Sequence, residues 1–183
     1  MSSRLPPLIA FAATFGLLAG CSDKPQAPSL TYDALFQSDR AGIRFLAPRD
    51  WTLVSRSDLP PGEFAKPILL VSYLQSSGPK PAELDLYIAD LPPDADFARY
   101  FTERRFGPLT WKLKVSVQAI EIGGIRGERL SLTSGVGKDE VAREVSAVRR
   151  GGKVFFFLVS FAARDEDHRD HTRKCIESVT WTK

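Results

Sequence analysis

The chain has 183 residues, 43% of them hydrophobic and 26% charged, with 13 glycines and 13 prolines, an ordinary globular composition that excludes a fibrous or wholly disordered protein. Lysine and arginine number 25 against 22 acidic residues, a net charge of +3, and removing Arg4, the one charged side chain among the first twenty, leaves +2; so balanced a charge calls for no nucleic-acid partner. Two cysteines, two histidines and one methionine exclude a multi-cysteine zinc cluster and a disulfide scaffold, and leave little material for histidine-based catalysis.

Residues 1–20 have the layout of a secretory signal: a basic start at Arg4, an apolar run from Leu8 to Ala19, then small residues. A membrane span needs about 20 apolar residues, so this run is too short to remain as one and the mature chain is expected to carry no transmembrane helix. Leu18-Ala19-Gly20-Cys21 resembles the lipobox of bacterial lipoproteins. The resemblance implies that Cys21 takes a diacylglycerol on its thiol, becomes the first mature residue and is acylated, palmitate-fashion, on its amine. Buried methylenes contribute ~0.8 kcal/mol each, so two or three chains hold a protein where a single myristoyl chain is marginal. Ser22 after the cysteine resembles the outer-membrane type. Residues 21–40 then read as the acylated N-terminus and a tether, with Pro25 and Pro28 extending it, and 41–183 as a single domain facing the periplasm.

In that domain, short apolar runs between turn signals predict α+β architecture with an antiparallel sheet. Gly42–Ala47 and Trp51–Ser55 predict two strands joined at a Pro48 corner. Ile68–Leu74 is apolar throughout and predicts a strand covered on both faces. Glu83–Leu91 sets Leu84, Leu86 and Ile88 inward, with Asp85, Tyr87 and Ala89 on a wetter face. Pro92-Pro93-Asp94 predicts a helix capped by Asp94 and running to about Phe106, with Phe97 and Phe101 as its apolar stripe and Arg104 and Arg105 in its last turn. The alternation over Lys112–Gln118 predicts a strand with Leu113, Val115 and Val117 inward. Gly123-Gly124 and Gly151-Gly152 predict two hairpin turns. Lys153–Ala162, apolar on both parities, is expected at the centre of the sheet. Asp165–Ser178 closes the chain as a helix with Cys175, Ile176 and Val179 inward, and Trp181 pins the terminus.

The strand into Pro48-Arg49-Asp50-Trp51, the mid-chain helix, the hairpin at Ile122-Gly123-Gly124, the aromatic strand after Gly152 and the final helix into Ile176-Glu177-Ser178-Val179 together resemble the PsbP-like superfamily over residues 40 to 181. That resemblance implies an antiparallel sheet sandwiched between helices and a binding or accessory module. Members of the superfamily include bacterial envelope lipoproteins similar to DcrB. They share no catalytic set, so no functional residue is carried over.

His168, His171 and Cys175 stand three and four apart, share a face of the closing helix and offer two nitrogens and a sulfur to zinc or copper. No fourth ligand is near, and Cys175 falls on the apolar stripe. The preferred reading is therefore a buried small hydrophobe beside two solvent-facing histidines, with no metal or cofactor assigned. The acids Asp165, Glu166, Asp167 and Asp170 read as a charged helix start rather than a calcium loop. Gly135-Val136-Gly137-Lys138-Asp139 lacks the first glycine and the hydroxyl of a phosphate loop. Arg149, Arg150 and Lys153 with Lys112 and Lys114 offer a basic patch for anionic lipid or protein, against the preferred reading of a charged, aggregation-resistant edge. The sequence thus predicts a non-catalytic, lipid-anchored envelope protein with a membrane anchor at Cys21 and a protein or small apolar partner. The alternative is a metal-binding or small-molecule-processing domain built on the His/Cys face.

Overall fold

On a strand successive side chains point to opposite faces, so the run Val154–Phe161, with no polar parity, needs cover on both sides. A computed structural model, which describes residues 35–76, 81–103, 106 and 108–182 without the side chain of Lys138, supplies both covers. Phe155, Phe157, Val159 and Phe161 enter one apolar core, and Val154, Phe156 and Leu158 enter another on the far side of the same sheet. At about 1.5–3 kcal/mol per buried large side chain, this one strand anchors both cores. The leader, Cys21, most of the tether, Arg104 and Arg105 lie outside the described residues.

The elements follow in the order β1 (Leu35–Ser38), β2 (Ile43–Leu46), β3 (Thr52–Arg56), β4 (Ile68–Gln75), β5 (Ala82–Ala89), α1 (Phe97–Thr102), β6 (Lys112–Leu113), β7 (Gln118–Ile122), β8 (Ile125–Ser134), β9 (Val141–Arg150), β10 (Lys153–Ala162), α2 (Glu166–Glu177) and β11 (Thr180–Trp181). The large antiparallel sheet has the order β3-β4-β5-β10-β9-β8-β6, with β7 also on β8, so β10 is central, as its double-sided apolarity predicts. A small antiparallel sheet, β1-β2-β11, and α2 cover one face; α1 covers part of the other. This is α+β architecture with the sheet between helices.

Both hairpins form where the glycine pairs place them. At the first, Gly123 and Gly124 have φ of 56° and 79°, and a Cβ on Gly123 would meet the Trp181 ring at 2.6 Å. Trp181 donates from Nε1 to Ile122 O at 3.1 Å and stands edge-on to Phe155, which pins the terminus. The closing helix is capped at Asp165, whose carboxylate accepts from His168 N at 3.1 Å, and it buries Cys175 and Ile176.

The two strands on either side of Pro48 form as predicted, and the corner between them carries the chain from one sheet to the other, through Asp50 at φ 64°. Two expectations are corrected. The mid-chain helix is shorter than predicted and is capped by Asp96, not Asp94: Ala95 N bonds to Pro92 O at 3.0 Å, so Asp94 is taken into a turn, and Asp96 accepts from Arg99 N. It ends at Thr102, although Phe97 and Phe101 are buried as the stripe requires. Finally, Leu113, Val115 and Val117 do not point inward. They are exposed, since Trp111 and Phe97 already fill that layer, and of the segment only Lys112–Leu113 and Gln118 pair as strand.

Candidate binding groove and the histidine face

The two faces of the large sheet are closed to different extents. On one, the twelve-residue α2 and the small sheet seal the core. On the other, α1 has six residues, about 9 Å of axis at 1.5 Å rise each, and covers only the Phe156 end. The remainder is a groove of about 800 Å³, floored by Asp85 and Tyr87 of β5, Leu158 of β10 and Arg143 of β9, and walled by Phe64, Tyr100 and Phe106.

Its walls are aromatic. Tyr87 stacks on Phe156 with ring centroids 5.4 Å apart and planes within 9°, and Phe106 stands 5.6 Å from Tyr87 and 5.9 Å from Tyr100. The floor is charged. Asp85 pairs in register with Ser72 on β4 and Leu158 on β10, which places its carboxyl deep in the sheet surface. Burial pushes its pKa up to about 6, Glu83 adds to that rise, and the Ser72 hydroxyl, Arg143 and the Tyr87 hydroxyl pull against it. Its Oδ1 is buried and has no hydrogen-bond partner among the described residues. Burial also pushes Tyr87 up to about 12, with Asp85 and Glu83 adding to it.

Arg143 is held at the other end. Its Nε donates to Ser160 Oγ at 3.0 Å, one terminal nitrogen donates to Phe106 O at 2.9 Å, and the guanidinium lies over the Trp111 ring at 4.2 Å. At the rim Asp90 accepts from Phe64 N and from Lys153 Nζ, 2.7 Å away; the lysine contact holds its pKa down. The wet parity of β5 was the sequence signal for this site. It marks Asp85 and Tyr87, but strand alternation carries no sign of the walls that α1 and residues 64–67 bring over them.

The residues singled out by spacing are held differently. His168 Nδ1 stands 2.5 Å from Asp165 Oδ2, and His171 Nε2 accepts from Arg49 N at 3.3 Å. Both rings stand edge-on to Trp51, with centroids 5.6 and 6.4 Å away. Burial, His168 and Arg49 push the His171 pKa down. Cys175 is buried and burial raises its thiol to about 11. Among the described residues no three His, Cys, Asp or Glu side chains are grouped to hold a metal. The shared helical face therefore serves to seat Trp51 and to dock α2.

The basic hairpin is not an edge. It lies between central strands, and its cations are clamps: Arg149 donates to Leu91 O and Ala95 O and covers Phe97, Arg150 donates to Thr182 O and covers Trp181, and Lys153 pairs with Asp90. Lys112 on β6 and Lys114 just after it stay exposed. Among the described residues no helix is long and apolar enough to cross a membrane.

No family's sequence profile and no curated protein matches the chain. Solved structures do. The solution structure of a cyanobacterial PsbP from Synechocystis sp. PCC 6803 superposes with a TM-score of 0.57, at 19% identity, over 85% of this chain and 96% of that one. The fold is PsbP-like. A Pseudomonas aeruginosa protein of unknown function, described as a putative regulator, gives a TM-score of 0.50 at 18% identity over 70% of this chain and 94% of its own. LpqN of Mycobacterium tuberculosis, described as involved in cell envelope biogenesis, gives 0.47 at 20% identity over 77% and 83%. At these identities the PsbP-like likeness speaks to the fold alone.

Proposed function

We propose that the chain is a lipid-anchored, non-catalytic binding module of the bacterial cell envelope, tethered through Cys21, facing the periplasm at the outer membrane, and holding its ligand in the open-face groove. The anchor rests on Leu18-Ala19-Gly20-Cys21 and the short apolar run before it. The binding role is carried by the groove, a concave aromatic site with a few polar groups converging in it, the usual form of a small-ligand pocket. An unpartnered carboxyl oxygen buried in its floor disfavours folding, and such costs accumulate at functional sites.

Leu109 in the groove lining and Leu113, Val115 and Val117 further along the chain are exposed large apolar residues, which supports contact with a protein partner as well. The competing reading, a metal-handling domain on His168, His171 and Cys175, has no grouping of ligands behind it among the described residues.

Fractionation of cells expressing Cys21→Ala tests the anchor. The wild-type protein is expected in the membrane fraction and the variant outside it; a variant that stays with the membrane overturns the anchor.

A further inference from the structure

One wall of the groove belongs to no helix or strand. Residues 57–67 run from the end of β3 to the start of β4 without regular structure, and Phe64, Ala65, Lys66 and Pro67 line the groove. The segment has little to hold itself in place. Pro60 and Pro61 have no N–H to donate, Gly62 sits at φ 85° in open space, and residues 60–63, 65 and 66 are exposed. Among the described residues it makes two hydrogen bonds. Ser57 N donates to Leu70 O at 2.9 Å, and Phe64 N donates to Asp90 Oδ2 at 2.8 Å. Leu59, buried in the core of the sealed face, fixes the near end.

Beyond Leu59 the fastenings converge on Phe64. Its amide is held by Asp90, and its ring packs against the core of the sealed face. Lys153 Nζ lies 4.3 Å from the ring centroid and donates to the other Asp90 oxygen at 2.7 Å. Both charged side chains are 26% exposed. An ion pair that water reaches is weak and is screened by salt, and a segment with few hydrogen bonds opens at well below the cost of global unfolding. The far end meets the groove floor: Ile68 pairs with Ile88, so Pro67 enters beside Ala89, a buried lining residue. The α1 wall has no such freedom. Phe97 and Phe101 are buried, and Arg149 and Arg143 clamp the chain before and after the helix.

We infer that residues 60–67 are a strap that gates the groove, fastened shut at Phe64 by Asp90 and Lys153 and hinged at Leu59 and Ile68. The inference rests on the groove being the ligand site and adds how a ligand enters it. Asp90 and Lys153 are positioning residues here, acting through Phe64 rather than on the ligand.

The test follows opening and access separately, on the acylated full chain in nanodiscs. Opening is read as hydrogen exchange of the strap by mass spectrometry. Access is read as the rate at which iodoacetamide alkylates the Ala89→Cys thiol, with the unsubstituted chain giving the background from buried Cys175. Asp90→Ala removes both contacts and is expected to speed exchange and alkylation together by about tenfold. Lys153→Met leaves the amide bond to Asp90 and is expected to speed both by roughly two- to fivefold. Urea denaturation of each variant separates strap opening from global unfolding. Faster exchange with unchanged alkylation overturns the gate, as does no change in either rate. Alkylation in the fastened protein as fast as that of free glutathione overturns it too, because the groove would then stand open. Protection of the Ala89→Cys thiol by 3-phenylpropanol, a neutral aromatic probe, is scored apart. Protection with no effect of Asp90→Ala leaves the groove a ligand site and overturns the gate; a tenfold effect without protection supports the gate and counts against the groove as a site for such ligands.

Discussion

The two faces of the large sheet are built from the same strands and differ in what covers them. On the sealed face, β10 sends Phe155, Phe157, Val159 and Phe161 under α2 and the small sheet. The charge on that face, Glu144, is only 5% exposed, yet it is bracketed by Arg173 at 2.6 and 2.9 Å and Arg169 at 3.2 Å. On the open face, the neighbouring acid Asp85 keeps a buried oxygen without a partner. A buried carboxylate with two guanidinium partners is a structural device, whereas one left short of partners beside a cavity disfavours folding and has a use elsewhere. The contrast supports the proposed placement of ligand binding on the open face, opposite the histidines that spacing alone singles out.

Truncating β10 on either face sharpens the contrast most. Phe157 is fully buried, and its ring is edge-on to Phe45 with centroids 5.3 Å apart, so Phe157→Ala leaves a void that nothing can fill and is expected to lower stability by ~3–5 kcal/mol. Leu158 is as central in the sheet but lines the groove, where neighbouring groups and water can move in. Leu158→Ala is expected at the lower end of the range for such truncations, ~2 kcal/mol. Urea denaturation of the two variants measures the difference; equal losses would mean that the open face is as tightly filled as the sealed one.

Much of this fold was legible in the sequence, for physical reasons that can be named. The double apolarity of Lys153–Ala162 can be satisfied only at the middle of a sheet covered twice, and the glycine pairs at 123 and 151 supply the positive φ of both hairpins. The alternation of Lys112–Gln118 misled because alternation states that a strand has two unlike faces and not that an inner slot is vacant; Trp111 and Phe97 hold that layer. Asp94 misled because a second aspartate two residues on competes for the cap, and the Pro92 turn decides between them. The spacing of His168, His171 and Cys175 was correctly read as one helical face, but the partners of that face, Trp51 and Arg49, come from over a hundred residues away. The groove was half legible. Its floor is in the parity of β5, and its walls exist only once α1 is docked.

Asp85 gives the next smaller effect, of opposite sign to a core truncation. Its folded pKa, about 6, lies above the unfolded value of 3.8, so the folded state binds the proton more tightly. The resulting stability is fully present below the unfolded pKa and is lost as pH rises through the folded one, leaving the protein destabilised at neutral pH. Asp85→Asn removes that penalty. After allowance for its partial exposure, it is expected to raise stability by ~1–2 kcal/mol at pH 7.5 and to flatten the profile between pH 4 and 6. Thermal melts of both proteins across that range are the check. A destabilised Asn variant would place Asp85 among the structural acids with Glu144 and erase the distinction between the faces.

The smallest effect belongs to His171 and runs the other way with pH. Its Nε2 accepts the Arg49 amide, which only the neutral ring can do, and burial, His168 and Arg49 all hold its pKa below 6.5. For a group whose folded pKa is depressed, the contribution is present above the unfolded pKa and is lost as pH falls toward the folded one. His171→Phe keeps the edge-on contact with Trp51 and deletes the acceptor, so it is expected to cost ~0.5–1.5 kcal/mol at pH 7.5. That loss should shrink as pH falls toward the lowered folded pKa, where the wild-type ring is itself being protonated. On the sealed face acidification therefore weakens the fold through His171, while on the open face it relieves Asp85. The double variant Asp85→Asn, His171→Phe is expected to show a flatter profile between pH 4 and 6.5 than either single variant. The two groups stand on opposite faces with no shared partner, so their effects should add; strong non-additivity in melts at pH 5 would show that the faces are coupled through β10.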